Sequence, residues 1–351
     1  MDATSTESPR IVFQHEQSYA PTPLLELPEL AKRCGVGRVY IKDESRRPLG
    51  SFKSLGGMFA GLRALARECG LPSIEAFLAR DRLPKRLPAL ICASDGNHGL
   101  AVAAAAEMAG GASRIYLPRH VPQSRAKRIA DRGAEIVWVE GTYDDAVDAA
   151  MMASQRGEGL LVTDTFARID DPIVADVMTG YGLMADELAE QFSQKDKEAP
   201  THLLVQAGVG GLAAALARGL QEKHALSTKI IVVEPEGCNC VGQALRANRI
   251  ERLTGDLQTS AEMLSCGEAS APAVAILRRV RADAIVVSER GLAEAVEMLE
   301  AYGGLVTTPS GATGLAGLMT AQPGTSLANA LHVNECSRVL LIVTEGPVPC
   351  A

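Results

Sequence analysis

The 351-residue chain is 47% apolar, carries 35 basic against 42 acidic residues for a net charge of −7, and contains eight cysteines. That size calls for more than one small core. The acidic balance argues against a nucleic-acid or anionic-membrane partner. The cysteines, none in a C-x-x-C pair, suggest neither a zinc site nor a disulfide scaffold.

A reducing cytoplasm is therefore the expected setting. No run of about 18 apolar residues is present to cross a membrane, and residues 1–10 lack the apolar stretch of a signal peptide. In chain order, residues 1–20 read as a loose arm. Ala20-Pro21-Thr22-Pro23-Leu24 is an extended lead-in, because each Pro pushes its predecessor out of helix. Residues 38–42 predict a strand, and 58–68 a helix. Strands then follow at 88–93, 114–117, 135–139, 160–163, 202–206 and 229–234. Between them helices are predicted at 97–109, 122–132, 143–156, 171–191 and 211–220. Residues 272–322 hold at least three helical stretches around Ile285-Val286-Val287, and 338–343 is a final buried strand. Short apolar strands alternating with amphipathic helices define an α/β fold with parallel sheet and crossover helices. Open sheets of this kind bind ligands at the carboxyl ends of their strands.

One lysine stands out, in the stretch Gly50-Ser51-Phe52-Lys53-Ser54-Leu55-Gly56-Gly57. A lysine desolvated at a loop-to-helix junction loses proton affinity and becomes a nucleophile towards carbonyls. Taken alone, Lys53 reads more readily as an ordinary surface lysine beside a helix start.

Four strand ends bear on the choice. Ser94-Asp95-Gly96-Asn97-His98-Gly99 brackets polar side chains with glycines, which let backbone approach a ligand, although Asp95 or Asn97 could simply cap a helix. Gln206-Ala207-Gly208-Val209-Gly210-Gly211 runs from strand into helix and forms an anion cradle. It is neither G-x-G-x-x-G nor a nucleotide P-loop. Asp164, after 160–163, is a candidate general base or else a turn residue. Thr344, after the last strand, offers a hydroxyl or merely ends the strand. A phosphorylated aromatic aldehyde needs all of these together, and pyridoxal 5′-phosphate is that molecule.

With these motifs the chain resembles the tryptophan-synthase-β-like, fold type II, pyridoxal-phosphate enzymes, and within them the diaminopropionate ammonia-lyases. The resemblance runs from about residue 35 to 346. It is carried by Asp95-Gly96-Asn97-His98-Gly99, where dehydratases usually read Ser-Ser-Gly-Asn-His, and by Tyr143-Asp144-Asp145 and Asp164-Thr165. Gln206 to Gly210, Val233-Glu234-Pro235, Cys266-Gly267-Glu268, Ser310-Gly311-Ala312 and Thr344-Glu345-Gly346 add to it. The resemblance implies a two-lobed α/β enzyme with the cofactor in the cleft. A small domain at 58–165 would be inserted between 1–57 and 166–351 of the large one. It implies Lys53 as the Schiff-base lysine, Asn97 at the ring hydroxyl, Gly208, Val209, Gly210 and Gly211 at the phosphate, and Thr344 at the pyridine nitrogen.

Asp95 and Asp164 would be bases on opposite faces of the substrate, serving D- and L-2,3-diaminopropionate, with pyruvate and ammonia as products. No metal is implied, and a homodimer is. A serine or threonine dehydratase, or another β-eliminating lyase, is the alternative, with a non-catalytic metabolite-binding protein behind it. The chain departs from the pattern in being short. Glu345-Gly346-Pro347-Val348-Pro349 also stands where an acidic run is expected, and Pro48-Leu49-Gly50-Ser51 precedes Phe52. Cys240 and Cys266 could approach each other at the site mouth, with free thiols expected over a disulfide.

Overall fold

The structure is a computed structural model that describes residues 7–15, 19–79, 86–166, 168–193 and 197–347. Parts of the expected arm (1–6 and 16–18), together with Val348 and Pro349, lie outside the described residues.

Ten strands among the described residues form two sheets. The first combines β1 (Leu24–Glu26), β2 (Arg38–Asp43), β7 (His202–Gln206), β8 (Lys229–Pro235), β9 (Asp283–Val287) and β10 (Arg338–Val343) in the order β1-β2-β10-β7-β8-β9. The second combines β3 (Leu90–Ala93), β4 (Ser113–Pro118), β5 (Glu135–Val139) and β6 (Leu160–Leu161) in the order β5-β4-β3-β6. Every pairing is parallel except β1 with β2. β10 enters between β2 and β7, so its near-continuous apolar run Val339 to Val343 is covered on both faces.

Alternation along the strands divides the interior. Leu203 and Val205 join Ile91, Phe59 and Leu340 in a core that runs between the two sheets. Leu204 faces the other way, with Ile41, Ile231 and Leu315. Because the sheets share a core, residues at the strand ends of both meet at one place.

Several expectations change. The helix expected from residue 58 begins five positions earlier and spans Lys53–Glu68, so the lysine is its first residue. Gly56 and Gly57 do not break it. A Cβ on Gly56 would collide with the Tyr181 ring, and one on Gly57 with Ala101, so the pair lets this helix sink between its neighbours. The arm contains the helix Arg10–His15, and the lead-in runs into an antiparallel edge strand, Leu24–Glu26. The strand expected over 160–163 shortens to Leu160–Leu161, because the Thr163 hydroxyl turns onto the Thr165 backbone. The helix at 211–220 is α-helical only over Gly211–Ala217 and continues as a π-helical turn, Arg218–Lys223. Helices at Pro28–Cys34 and Cys240–Ala247 went unpredicted.

Candidate active site

A cleft opens where the two sheets meet. Its wall takes in every residue singled out from sequence: Lys53, Asp95, Asn97, Asp164, the turn Gly208, Val209, Gly210 and Gly211, and Thr344. β2, β7 and β10 deliver the lysine helix, the glycine turn and the threonine, while β3 and β6 deliver the two aspartates.

The ring-facing turn is knit by Ser94, whose Oγ accepts the Gly96 and Gly99 amides, both at 2.8 Å. This frees Asp95 from capping duty, and its Oδ1 is buried with no hydrogen-bond partner. Burial pushes the Asp95 carboxyl up to about 7, with Arg125 pulling the other way. The next residues give the helix Asn97–Ala109 its first turn. His98 is buried; its Nε2 donates to the Val162 carbonyl (2.9 Å), and Nδ1 has no partner. Burial lowers its pKa, so the ring is neutral.

Asp164 behaves oppositely. Its Oδ2 lies 2.5 Å from Lys53 Nζ, and its Oδ1 accepts the Tyr143 hydroxyl at 3.1 Å. Burial would raise the Asp164 carboxyl, but the Lys53 ammonium outweighs it and the net shift is downward. Burial likewise would lower Lys53, and Asp164 reverses this to a net rise. The sequence argument expected a lysine of weakened proton affinity; the ion pair gives the reverse in this state. Phe52 and Tyr181, with ring centroids 4.9 Å apart, lie beside the same ammonium, 5.4 and 6.0 Å from Nζ.

The glycine turn follows β7. Gly210 has φ +97°, which an L side chain rarely adopts, and caps the following helix without any side-chain bond to its first amides. A Cβ on Gly208 would come within 3.0 Å of Cys266 Sγ. Cys240 Sγ donates to the Gly208 carbonyl at 3.4 Å, and both Cys240 and Cys266 are free thiols. Thr344 is buried, and its Oγ1 accepts Gln206 Nε2 at 3.1 Å, which leaves its own proton for the cleft.

These residues fit pyridoxal 5′-phosphate. The wall carries one lysine, an uncapped glycine turn for an anion, and orphaned polar atoms on Asp95, His98, Gln206 and Tyr181. Sequence reasoning gave no role to Tyr143, Tyr181 or Glu345. Tyr181 lies within the long helix Pro172–Phe192, and no local motif marks it. Among the described residues no group of three or more His, Cys, Asp or Glu side chains could hold a metal ion, and no helix is long and apolar enough to cross a membrane.

Residues 15–345 match the model of the family described as pyridoxal-phosphate dependent enzyme, and the chain belongs to that family. It is an enzyme, with pyridoxal 5′-phosphate as its cofactor. More narrowly, it is 35% identical to the diaminopropionate ammonia-lyase of Salmonella typhimurium, over 94% of this chain and 86% of that one. The Escherichia coli diaminopropionate ammonia lyase in complex with D-serine superposes with a TM-score of 0.87 at 31% identity, covering 98% of this chain and 90% of the other. The same enzyme in complex with an aminoacrylate-PLP azomethine reaction intermediate gives 0.85 at 32%, with the same coverage.

Proposed function

We propose that this chain eliminates ammonia from 2,3-diaminopropionate, as the D or L enantiomer or both. The products after hydrolysis are pyruvate and two ammonia. The observation that carries this reading is a pair of carboxylates in one cleft, held in opposite states. In the free protein Asp164 is kept ionised by Lys53 and by the Tyr143 hydroxyl, while burial keeps Asp95 ready to hold a proton. Environments that push two titrating groups apart suit acid and base roles. The similarity to ammonia-lyases of this name adds support.

In this reading Lys53 anchors the cofactor, Asn97 and Thr344 hold its ring, and Gly208, Val209, Gly210 and Gly211 take its phosphate. Bound there, pyridoxal phosphate withdraws electrons from the substrate's α-carbon and makes the α-hydrogen acidic. Asp164 accepts that proton from one face, steadied by the Tyr143 hydroxyl. Asp95 accepts it from the other once it has lost its own proton. The β-amino group then leaves as ammonia, and water completes the conversion of the three-carbon product. A carboxylate also attracts the substrate's second ammonium, which serine lacks.

The strands β3 to β6 all fall within 58–165, which supports that segment as the small lobe and the remainder as the large one. Closure of one lobe over the substrate would shut out water. A reducing, cytoplasmic setting belongs to the same reading. A homodimer rests on resemblance, and sedimentation of the purified chain tests it.

The deciding experiment measures pyruvate release from D- and L-diaminopropionate, D- and L-serine, and L-threonine. The expected result is fastest release from a diaminopropionate enantiomer. Preference for serine or threonine would make the chain a dehydratase instead. Colourless protein that cannot be reconstituted would point to a non-catalytic binder.

A further inference from the structure

Glu345 is buried in the cleft wall next to Thr344, and the chemistry above gives it no task. Its carboxylate is divided between two partners. Oε1 accepts the Thr308 hydroxyl at 2.5 Å, and Oε2 accepts Nδ2 of Asn97. Its backbone is fixed as well: the carbonyl accepts the Thr307 hydroxyl at 2.5 Å, and Ser51 pairs with it in an isolated antiparallel bridge. Held this way, Glu345 reaches from the end of β10 to the first residue of the helix that follows β3. It therefore joins the two sheets beside the cofactor wall.

The consequence falls on Asn97. A side-chain amide has a donor end and an acceptor end of nearly the same shape, and its partners decide which way it faces. A carboxylate only accepts. Contact with Glu345 therefore turns the Asn97 amide so that Nδ2 faces the carboxylate. Among the described residues the amide makes no other hydrogen bond. One N–H is spent on Glu345, and the second is left to the cleft.

We propose that Glu345 is a positioning residue, which sets the orientation of the Asn97 amide so that an N–H, and not a carbonyl oxygen, is offered to the cofactor's ring hydroxyl. This inference rests on the proposed role of Asn97. Thr308, by holding the other carboxylate oxygen, keeps Glu345 from following Asn97 if the lobes shift.

The test is a double-mutant cycle read on the cofactor, not on turnover. Apo-protein is titrated with pyridoxal phosphate, and its dissociation constant and bound absorption maximum are recorded for wild type, Asn97→Ala, Glu345→Ala, the double variant and Glu345→Gln. Loss of one buried hydrogen bond should raise Kd about tenfold in Asn97→Ala. Glu345→Ala should raise it similarly and displace the absorption maximum in the same direction. The double variant should be no worse than Asn97→Ala, because the two residues act as one. Glu345→Gln, which keeps an acceptor oxygen at the same reach, should restore most of the loss. If Glu345→Ala does not fold, Glu345→Asp replaces it, one methylene too short to reach Asn97. Additive losses in the cycle, or a Glu345 variant with wild-type Kd and spectrum beside an impaired Asn97→Ala, would overturn the inference while leaving Asn97 in its role. A silent Asn97→Ala would remove both.

Discussion

Lys53 Nζ and Asp164 Oδ2 stand 2.5 Å apart, one at the start of a helix after β2 and the other just beyond β6. The lysine is partly open to solvent and the aspartate is not, with side chains 22% and 5% exposed. Each holds the other in its charged form. To bond with an aldehyde the lysine must lose a proton, and Asp164 is the nearest base to receive it. Lys53→Ala should abolish turnover. Protein carrying this change should also lack the absorbance near roughly 410–430 nm given by the lysine-bound cofactor. Retention of that band would place the anchor elsewhere.

The aspartates should separate by enantiomer. With Asp164 expected to serve the L substrate and Asp95 the D substrate, Asp164→Asn should lower kcat/KM for L-diaminopropionate by about 10²–10⁴ and spare the D form more. Asp95→Asn should do the reverse. Steady-state assays on both enantiomers with both variants decide it, and equal losses on both would argue against two independent bases.

pH should distinguish the same pair. Asp95 must be deprotonated to act as a base, and burial holds its carboxyl at about 7 in the free protein. The kcat/KM for the enantiomer it serves should therefore rise as pH increases through about 7. The other enantiomer should lack that limb, because the Tyr143 hydroxyl bonded to Asp164 favours its ionised form after Lys53 has bonded the cofactor. The limb should vanish in Asp95→Asn. The linkage to stability has the matching sign. The folded pKa lies above the ordinary value of about 4, so the folded state binds more protons than the unfolded one in between. The contribution of Asp95 to stability is full below about pH 4 and is lost as pH rises through about 7.

Gly210→Ala tests the cradle. Its φ of +97° would strain any side chain, at a cost of about 1–3 kcal/mol. The variant should melt at a lower temperature and bind pyridoxal phosphate more weakly. An unchanged cofactor Kd would argue that the turn does not hold the phosphate.

A buried charge network fixes the segment leading to Lys53. Glu187 accepts Lys42 Nζ at 2.6 Å and Arg47 Nη1 at 2.7 Å, while Arg47 also donates to Glu44, and the Lys42 and Glu187 side chains are fully buried. Glu187→Ala would strip Lys42 of its paired carboxylate and leave Arg47 with Glu44 alone, and should cost about 3–5 kcal/mol. Thermal unfolding measures it, and a loss well below 1 kcal/mol would argue that the network carries little of the stability.

The strand pattern was readable because buried parallel strands and crossover helices leave local signatures. The helices at 97–109 and 143–156 and the strands β5, β7 and β10 stand where periodicity put them. The helix start at Lys53 was not readable. Its two glycines discourage helix by propensity, and only contact with Tyr181 and Ala101 explains them.

Residue identity and local spacing were enough to mark the candidates: a lysine, two aspartates, a glycine turn and a strand-end threonine. Only the tertiary structure decided their charge states and partners. Lys42 and Lys53 are chemically identical in the sequence. One is sealed in a charge network between β2 and the helix Pro172–Phe192, and the other faces a cleft against Asp164. Asp95 and Asp164 are likewise alike until folding buries one with an unbonded carboxylate oxygen and pairs the other with an ammonium. Desolvation and Coulomb attraction depend on what lies within a few ångströms, and residues far apart in the chain supply it.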